Sequence, residues 1–467
     1  MVFSTPLFLF YFLTITLILY YITPLRLRNV VLLLASLFFY YWGEQIYVLI
    51  MLLSTAVDYT HGLLVSHFKK KGKNQFARLT VASSIFFNLS ILLFFKYWDF
   101  IAISLHNIGI PIMPILGISL PIGISFFTFQ TMSYTIDVYR GHANVQKNII
   151  HFSTFVTLFP QLIAGPIIKY KELDTQLVYR THTIERFASG ITIFIIGLSK
   201  KLLIANNLGL LWDTYKMMPI NERTVGGAWL GLLAFTFQIY FDFSGYSDMA
   251  VGLGRMFGFE FIKNFHYPYI SKSITEFWRR WHISLSTWFR DYLYIPLGGN
   301  RCSKIKWMRN LFIVWIATGI WHGANWNFVL WGLYFFVLLF IEKLFFGKIL
   351  QKLPTILQHL YTLFFILISW AIFAIEDFAQ LQVYMSCMFH FVEIPFWNTT
   401  ASYYLKNYFW ILIIAAFAST PFASFIFNKL PCKLAMMSKI VLLTIGIILC
   451  TAYVVADSYN PFLYFRF

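Results

Sequence analysis

Residues 7–25 read LFLFYFLTITLILYYITPL and contain no charged side chain. A helix needs about 20 apolar residues to cross the hydrocarbon core of a bilayer, so this stretch predicts a membrane-spanning helix. No basic segment comes before it and no small-residue cleavage site comes after it. We therefore expect it to remain as a span rather than to be removed as a signal peptide.

Similar apolar runs recur along the rest of the chain. They lie at 30–41, 46–57, 79–95, 187–198, 227–240, 311–320, 328–341, 360–375, 408–427 and 440–456. Several are short for a full span, so we expect some to be extended by neighbouring residues or to be re-entrant. Together they predict an all-α polytopic membrane protein with roughly 11 to 13 membrane helices or re-entrant elements. No low-complexity linker separates them, so 1–467 is predicted to form a single domain.

The composition favours a membrane protein over a soluble one. Charged residues make up 12% of the 467 residues, against about 25% in a soluble domain. The net charge of +17 comes from basic residues between apolar runs, as expected of cytoplasmic loops. This indicates contact with membrane lipid and not with nucleic acid. The loops at 26–28, 69–78 and 429–439 are predicted to be cytoplasmic, which places both termini outside the cytoplasm.

Several kinds of chemistry lack support in the sequence. The four cysteines form no CxxC pair and have no histidine at zinc spacing, so we expect neither a metal nor a disulfide framework. The chain also has no P-loop, no HExxH motif and no GxSxG motif. ATP-driven transport, zinc hydrolysis and a serine nucleophile of that type are therefore not indicated.

The first candidate site is FWRRWHISLSTWFRD at 277–291. Read as one helix, its apolar residues recur at three- and four-residue steps and leave His282 beside the apolar stripe, near Arg279 and Arg280. The proline and glycines at 296–299 then end the helix. The segment is either an interfacial amphipathic helix anchored by tryptophans or a functional site that uses His282.

The second candidate is IWHGANWN at 320–327. It lies between two strongly apolar runs, so His322 is predicted to lie deep in the membrane with no charged neighbour. A lone intramembrane histidine can simply link two helices by a hydrogen bond, but ionisable residues inside membrane segments are costly and often functional. Asn325 and Asn327 favour function, because their amides could hold an imidazole or a polar substrate.

A buried neutral histidine can act as a general base. Burial disfavours the charged imidazolium, so the ring can accept a proton from a hydroxyl that attacks an acyl donor. The same ring can return that proton to a leaving thiolate. A thioester such as acyl-CoA needs little further activation, and its negative charge would suit a basic cytoplasmic entrance.

The final residues, NPFLYFRF at 460–467, form a third candidate. Such an aromatic segment is typical of an interfacial belt that anchors the last helix. The alternative is that Tyr464, the only hydroxyl in the last seven residues, reaches back into the protein as an acceptor.

Four segments together resemble the membrane-bound O-acyltransferase family, in its alginate and peptidoglycan O-acetyltransferase branch. They are FPQLIAGP at 159–166, QIYFDFSGYSD at 238–248, the segment 278–299, and WHGANW at 321–326. Only the two segments that contain histidine are specific by themselves. The resemblance covers most of the chain and is strongest over 120–335.

The resemblance implies a helical fold around a central funnel in a bacterial inner membrane. It implies two functional histidines, matching His282 and His322, with His322 as the catalytic one. The donor is then cytoplasmic acetyl-CoA, with no bound cofactor, and the acceptor an extracytoplasmic polysaccharide served by an SGNH or esterase-like partner. Tyr464 resembles a tyrosine that carries the acyl group transiently in a related system. The substrate-binding residues expected on this interpretation are Gln238, Asp242, Arg279, Arg280 and Asn325.

One position departs from the pattern, and two other functions stay open. The branch usually shows a Phe-Arg pair after Trp370, where this chain has Phe373-Ala374, which puts a role for that arginine in doubt. Within the same class, the cargo could be D-alanine for teichoic acid. From a different class, the protein could be a polysaccharide or lipid transporter, although the sequence lacks the repeated halves expected of one. The sequence identifies neither the polysaccharide nor the partner.

Overall fold

The computed structural model describes residues 1–390, 394–456 and 463, and within them the chain is helical with no β-strand. The helices of the first half are α1 Leu13–Ile22, α2 Arg28–Glu44, α3 Val48–Lys70, α4 Asn74–Leu92, α5 Trp98–Asn107, α6 Ile124–Arg140, α7 Ile149–Thr157, α8 Phe159–Leu162, α9 Tyr170–Val178, α10 Ile184–Ser199, α11 Asn206–Met217 and α12 Val225–Met256. Those of the second half are α13 Ile274–Arg280, α14 Ile283–Phe289, α15 Lys304–His322, α16 Trp326–Ile341, α17 Gly347–Leu350, α18 Thr355–Ala374, α19 Phe378–Phe389, α20 Thr399–Ala418, α21 Phe422–Lys429 and α22 Cys432–Ala456.

Six helical stretches within the described residues are long and apolar enough to cross a membrane, or seven if the bent pair α20 and α21 forms one span. They are Leu25–Lys70, Asn74–Asn107, Ile184–Met217, Trp326–Leu350, Thr355–Ala374 and Cys432–Ala456. An all-α polytopic membrane protein is therefore confirmed. The count is lower than the predicted number of elements, partly because Leu25–Lys70 joins α2 and α3 across the short turn Gln45–Tyr47. The apolar runs in α12 and α15 are also not among these stretches, and the first run, 7–25, forms the shorter apolar helix Leu7–Ile22.

The chain divides into two compact units. Unit 1 comprises Met1–Phe194 and Ser247–Ile262, and unit 2 comprises Ile195–Tyr246 and Lys263–Phe467. In unit 1, a buried polar network joins α3, α4 and α6. Its centre is the fully buried Asp58, whose carboxylate accepts from Ser84 Oγ at 2.5 Å and from Asn88 Nδ2 at 2.7 Å. Such hydrogen bonds between helices are typical of membrane proteins, where buried polar groups must be satisfied within the protein.

In unit 2, the helical hairpin α15–α16 carries one of the candidate histidines. Two glycines let its helices approach closely. A Cβ on Gly319 would lie 2.3 Å from the carbonyl oxygen of Phe328, and one on Gly332 would lie 2.5 Å from that of Trp315. Small residues of this kind allow helix backbones to touch in membranes, where van der Waals packing stabilises helix association.

This packing predicts that Gly319→Ala destabilises unit 2. The new methyl group would overlap a backbone atom that no side-chain rotation can move, so the helices must separate, at a cost of about 1–3 kcal/mol. Thermal unfolding of the purified protein in detergent measures the effect. The matched control is Gly446→Ala in α22, whose Cβ would meet the flexible Ser199 side chain at 3.1 Å. Equal melting temperatures for the two variants would contradict the close-packing account.

The short helix α13 is held in place by a carboxylate from another part of the chain. Glu342 is buried and follows α16 directly. Its two oxygens accept from the backbone N–H groups of Ile274 at 2.8 Å and Thr275 at 2.9 Å. The first N–H groups of a helix have no partner within the helix, and this contact satisfies two of them. It also places a negative charge at the positive end of the helix dipole, which is stabilising. It fixes the start of the segment that leads to His282.

Candidate functional site

His322 is the last residue of α15 and is 3% exposed. The helix stops there because Gly323 adopts an extended backbone, with φ −169° and ψ 157°, before α16 begins at Trp326. A Cβ on Gly323 would lie 2.1 Å from the ring of Phe328, so this turn requires glycine. The hairpin therefore presents His322 at its tip.

Aromatic rings enclose the His322 imidazole. The ring of Trp331 lies 5.0 Å away and that of Phe373 5.4 Å away, both edge to face, and Trp321 lies at 5.1 Å. These rings come from α15, α16 and α18. They exclude water from much of the histidine surface, and electrostatic interactions are stronger in such a low-dielectric environment. The sequence predicts that His322 lies deep in the membrane with no charged neighbour. The aromatic rings around the imidazole are consistent with that prediction.

His282 lies at a break in the chain and not within a helix. The prediction of one continuous helix over 277–291 is wrong, because α13 ends at Arg280 and α14 starts at Ile283. His282 has a left-handed backbone, with φ 44° and ψ 56°, which non-glycine residues rarely adopt. The backbone N–H of Ile283 bonds to the Asn264 carbonyl at 2.9 Å and helps to hold the break. The residue is fully buried, so the segment is not an exposed interfacial helix.

The side chain of Asn264 fixes the protonation pattern of His282. Asn264 Oδ1 accepts from the Ser284 backbone N–H at 3.1 Å and from Ser284 Oγ at 2.9 Å, so this atom is an acceptor. It also lies 3.1 Å from His282 Nδ1. Nδ1 must therefore carry the hydrogen, and Nε2 of the neutral ring holds the lone pair. When one ring nitrogen of a histidine takes part in chemistry, a hydrogen bond at the other nitrogen commonly orients the ring.

The two candidate histidines both lie near one indole ring. Trp321 lies 5.9 Å from the His282 ring and 5.1 Å from the His322 ring. Burial, and then the neighbouring His322, lowers the pKa of His282 well below its ordinary value. Because a lowered pKa favours the neutral form, His282 is a neutral imidazole at neutral pH. The structure thus brings together two residues that are 40 positions apart in sequence.

A buried ion pair lies close to the two histidines, and its carboxylate belongs to α12. Asp242 Oδ1 is 2.6 Å from Lys201 Nζ, and both side chains are almost fully buried. The next residue, Phe243, packs edge to face against His282 with 4.7 Å between ring centroids. Gln238 lies one turn earlier on the same helix and is 3% exposed. Its Oε1 atom has no hydrogen-bond partner within the described residues.

The C-terminal segment contacts this ion pair. The backbone N–H of Leu463 donates to Asp242 Oδ2 at 2.9 Å, and its side chain packs on the hydrophobic core of unit 2. Tyr464, the candidate acyl acceptor, lies outside the described residues, as do all residues of 460–467 other than Leu463. Leu463 therefore provides the structural information on this candidate.

Breaking the Lys201–Asp242 pair is expected to destabilise the protein strongly. Asp242→Ala would leave a buried ammonium without its counter-charge, at a cost of about 3–5 kcal/mol. The double variant Lys201→Met with Asp242→Leu should recover most of that loss, because it removes both charges. Chemical denaturation in detergent measures both. Asp291→Ala is the control, since its Arg290 partner is 59% exposed and such pairs contribute about 0–1 kcal/mol. Equal losses for Asp242→Ala and Asp291→Ala would contradict the prediction.

The two predicted arginines differ in their environment. Arg280 bonds to Glu276 at 2.8 Å and to the His266 carbonyl at 3.1 Å, so it braces α13 against the preceding loop. Arg279 is exposed. Asn325 occupies the N-cap position of α16 and is half-buried, and its side chain makes no capping bond there.

The Phe373-Ala374 position, where the family pattern has an arginine, has other partners here. Phe373 contacts His322, and the carbonyl of Ala374 accepts from Lys216 Nζ at 3.2 Å. Asn327 Nδ2 bonds to the carbonyls of Ile372 and Phe373, which ties the start of α16 to the end of α18. These contacts position the Phe373 ring beside His322.

Two residues of this site were missing from the sequence analysis. Asn264 lies in a loop and gave no periodic or motif signal. Lys201 belongs to a basic pair after an apolar run, a pattern typical of loop charges, although it is 1% exposed. Within the described residues, no group of three or more His, Cys, Asp or Glu side chains could hold a metal ion.

The sequence profile of the membrane-bound O-acyltransferase family matches residues 140–379, which include both histidines. Together with the relatives described next, this match shows that the chain belongs to that family and is an acyltransferase enzyme. The acyltransferase interpretation made from the sequence is confirmed at this level.

Three relatives show which branches the chain is similar to. It is 45% identical to a probable alginate O-acetylase of Pseudomonas aeruginosa over 395 residues, which cover 84% of this chain and 75% of that protein. It is 34% identical to a peptidoglycan O-acetyltransferase of Helicobacter pylori, over 81% of this chain and 77% of the relative. A teichoic acid D-alanyltransferase of Bacillus subtilis is 31% identical, over 55% of this chain and 69% of its own length.

Proposed function

We propose that this protein transfers an acetyl group from cytoplasmic acetyl-CoA across the bacterial inner membrane for O-acetylation of an extracytoplasmic cell-envelope or exopolysaccharide. The observation that carries the proposal is the pairing of His282 and His322 around Trp321 in a buried aromatic site. The names of the alginate and peptidoglycan relatives support an acetyl group and a polysaccharide acceptor.

In the proposed reaction, His322 is the general base. It takes the proton of an acceptor hydroxyl while that oxygen attacks the thioester carbonyl of acetyl-CoA. The C–S bond then breaks, and the imidazolium returns the proton to the departing thiolate, which leaves as CoA. Aromatic enclosure favours this role because it keeps the resting ring neutral and able to accept a proton.

His282 is proposed to position the donor or to assist proton movement. Its Nδ1–H is directed to Asn264, so Nε2 is the ring nitrogen that carries the lone pair. Gln238, Asp242 and Asn325 are proposed to shape the polar pocket, and the exposed Arg279 is suited to donor phosphates. The bonds of Arg280 to Glu276 and His266 favour a bracing role for that residue over direct substrate binding.

The acceptor hydroxyl is proposed to be that of Tyr464, which would carry the acetyl group until a partner unloads it. The bond from Leu463 to Asp242 supports this relay, because Asp242 precedes the Phe243 that contacts His282. A separate SGNH or esterase-like protein outside the cytoplasm would then move the acetyl group to a sugar hydroxyl. Both chain termini are proposed to lie on that side.

The test is to delete the gene, restore it on a plasmid, and measure the esters released from purified envelope polymers by mild alkali. We expect acetate to be lost in the deletion strain and restored by the plasmid. Loss of released D-alanine with unchanged acetate would instead favour the teichoic acid alternative, which the Bacillus relative supports. If neither ester changes in the deletion strain, the proposal is wrong.

A further inference from the structure

Unit 1 contains a group of cationic side chains that the proposed reaction does not use. This arginine cluster consists of Arg28, Arg180 and Arg186, together with His182 and the ring of Tyr20. The Arg28 guanidinium lies over the Tyr20 ring at 4.9 Å, and Arg180 Nη2 lies 3.4 Å from the Tyr20 hydroxyl. Arg28, Arg180, His182 and Arg186 are all half-buried, so a small molecule can reach them.

Arg180 is held by neutral groups only. Its Nη2 bonds to Asn29 Oδ1 at 2.7 Å, and its Nη1 bonds to the Gln176 carbonyl at 3.1 Å. Asn29 is itself fixed by a bond from its Nδ2 to the Leu177 carbonyl. The Nε–H of Arg180 is buried and has no hydrogen-bond partner within the described residues. The guanidinium also lies 4.2 Å from the centre of the Phe259 ring. None of these partners carries a negative charge, so the partly buried cation favours an anionic ligand.

His182 adds a fixed donor to the cluster. The Tyr20 hydroxyl donates to the Phe257 carbonyl at 2.7 Å, so it accepts from His182 Nε2 at 2.8 Å. Burial, and then Arg28 and Arg180, lowers the pKa of His182 to about 4. Burial is the larger cause of this shift, and the two arginines add to it because their positive charge disfavours a third cation beside them.

Among the residues that the structure describes, one carboxylate pairs with the cluster, and it is already shared. Glu260 lies 3.6 Å from Arg186 and 3.1 Å from Arg255. Within the described residues, Arg28 and Arg180 form no ion pair. The cluster therefore carries an excess of positive charge on an aromatic surface.

We propose that the arginine cluster of unit 1 binds a phosphate group. The planar fork of arginine matches phosphate oxygens and forms paired charge-assisted hydrogen bonds with them. Arg28 belongs to the loop at 26–28, which is predicted to face the cytoplasm, where both anionic phospholipid headgroups and soluble phosphates occur. Both kinds of ligand would present a phosphate group to the arginines, and the experiment below distinguishes a lipid headgroup from a soluble phosphate.

The experiment uses the full chain, purified in an uncharged detergent, and titrates it with three probes. These are short-chain phosphatidylglycerol, short-chain phosphatidylcholine and inorganic phosphate, with binding followed by phosphorus NMR. We expect phosphatidylglycerol to bind more tightly than phosphatidylcholine, whose choline cation would approach the arginines. Tight binding of inorganic phosphate without a preference for phosphatidylglycerol would identify a soluble phosphate as the ligand.

Two variants and one control test the residues. Arg180→Gln and Arg28→Gln should each weaken binding of the preferred probe by about tenfold or more, as expected for loss of a charge-assisted hydrogen bond. If Arg180→Gln fails to fold, Arg28→Gln still tests the proposal. Arg28 is the first residue of α2, where a substitution disturbs the helix less than one in its interior. Arg26→Gln is the control, because Arg26 is exposed on the same loop. Wild-type affinity in Arg28→Gln, or equal losses in Arg26→Gln, would overturn the proposal.

Discussion

His322→Ala is expected to reduce acetyl transfer by about 10²–10⁴-fold, the usual contribution of a general base. His322 is the last residue of α15 and is enclosed by the rings of Trp321, Trp331 and Phe373. None of these three side chains can accept a proton. The loss should appear in the rate constant of the first turnover with acetyl-CoA at saturating concentration, because the purified protein has no partner that would unload Tyr464. Release of free CoA by the purified protein measures it.

Two controls separate chemistry from folding in this experiment. His67→Ala removes an exposed histidine at the end of α3 and should leave the rate unchanged. His322→Gln keeps a polar side chain of similar length but cannot act as a base, so it should be as inactive as His322→Ala while melting near the wild-type temperature. Activity near that of the wild type in His322→Gln would remove His322 from the proton transfer.

Tyr464→Phe is expected to abolish acetyl delivery to the polymer, as completely as His322→Ala does. The change removes only the hydroxyl that would accept the acetyl group and keeps an aromatic ring of nearly the same size. The backbone bond from Leu463 to Asp242 does not depend on that hydroxyl, so the protein should keep its stability. Ester-linked acetate on polymer from cells that carry the variant gives the readout.

Tyr453→Phe is the matched control for this change. Tyr453 lies in α22 and is 36% exposed, and its hydroxyl makes a long 3.5 Å contact to Asn207. Its replacement should leave acetylation intact. If Tyr464→Phe also acetylates normally, the acceptor hydroxyl belongs to a partner or to the polymer. The acyltransferase function would survive that result, whereas the tyrosine relay would not.

The sequence could predict the class of fold and the identity of the central histidines. Uninterrupted apolar runs such as 7–25 have few stable alternatives to a helix in a membrane. His322 was detectable because a polar residue between two apolar runs is unusual. The hairpin itself was less evident, since it depends on Gly319 and Gly332 meeting across two helices.

The environment of His282 could not be predicted from sequence. Periodicity favoured one continuous helix through 277–291, but the helix breaks where Asn264, 18 residues earlier, supplies three of the local hydrogen bonds. Contacts between distant residues override local helix propensity in this way. The capping of α13 by Glu342 is a second example, since the two lie 67 or more residues apart.

The charge pattern around Lys201 gave no indication that this lysine is buried. Basic residues between apolar runs usually mark cytoplasmic loops, and Lys201 follows such a run. It is nevertheless buried, because Asp242 on α12 lies 2.6 Å away and neutralises it. Composition alone cannot distinguish a loop lysine from one that has a counter-charge 41 positions later.

The most direct test of the central claim is to incubate the purified full chain with acetyl-CoA labelled in the acetyl group and to locate the label by mass spectrometry. The account predicts free CoA and labelled Tyr464 in the wild-type protein, and neither product in His322→Ala. Equal release of CoA by the wild type and His322→Ala would contradict the claim that His322 activates the acceptor.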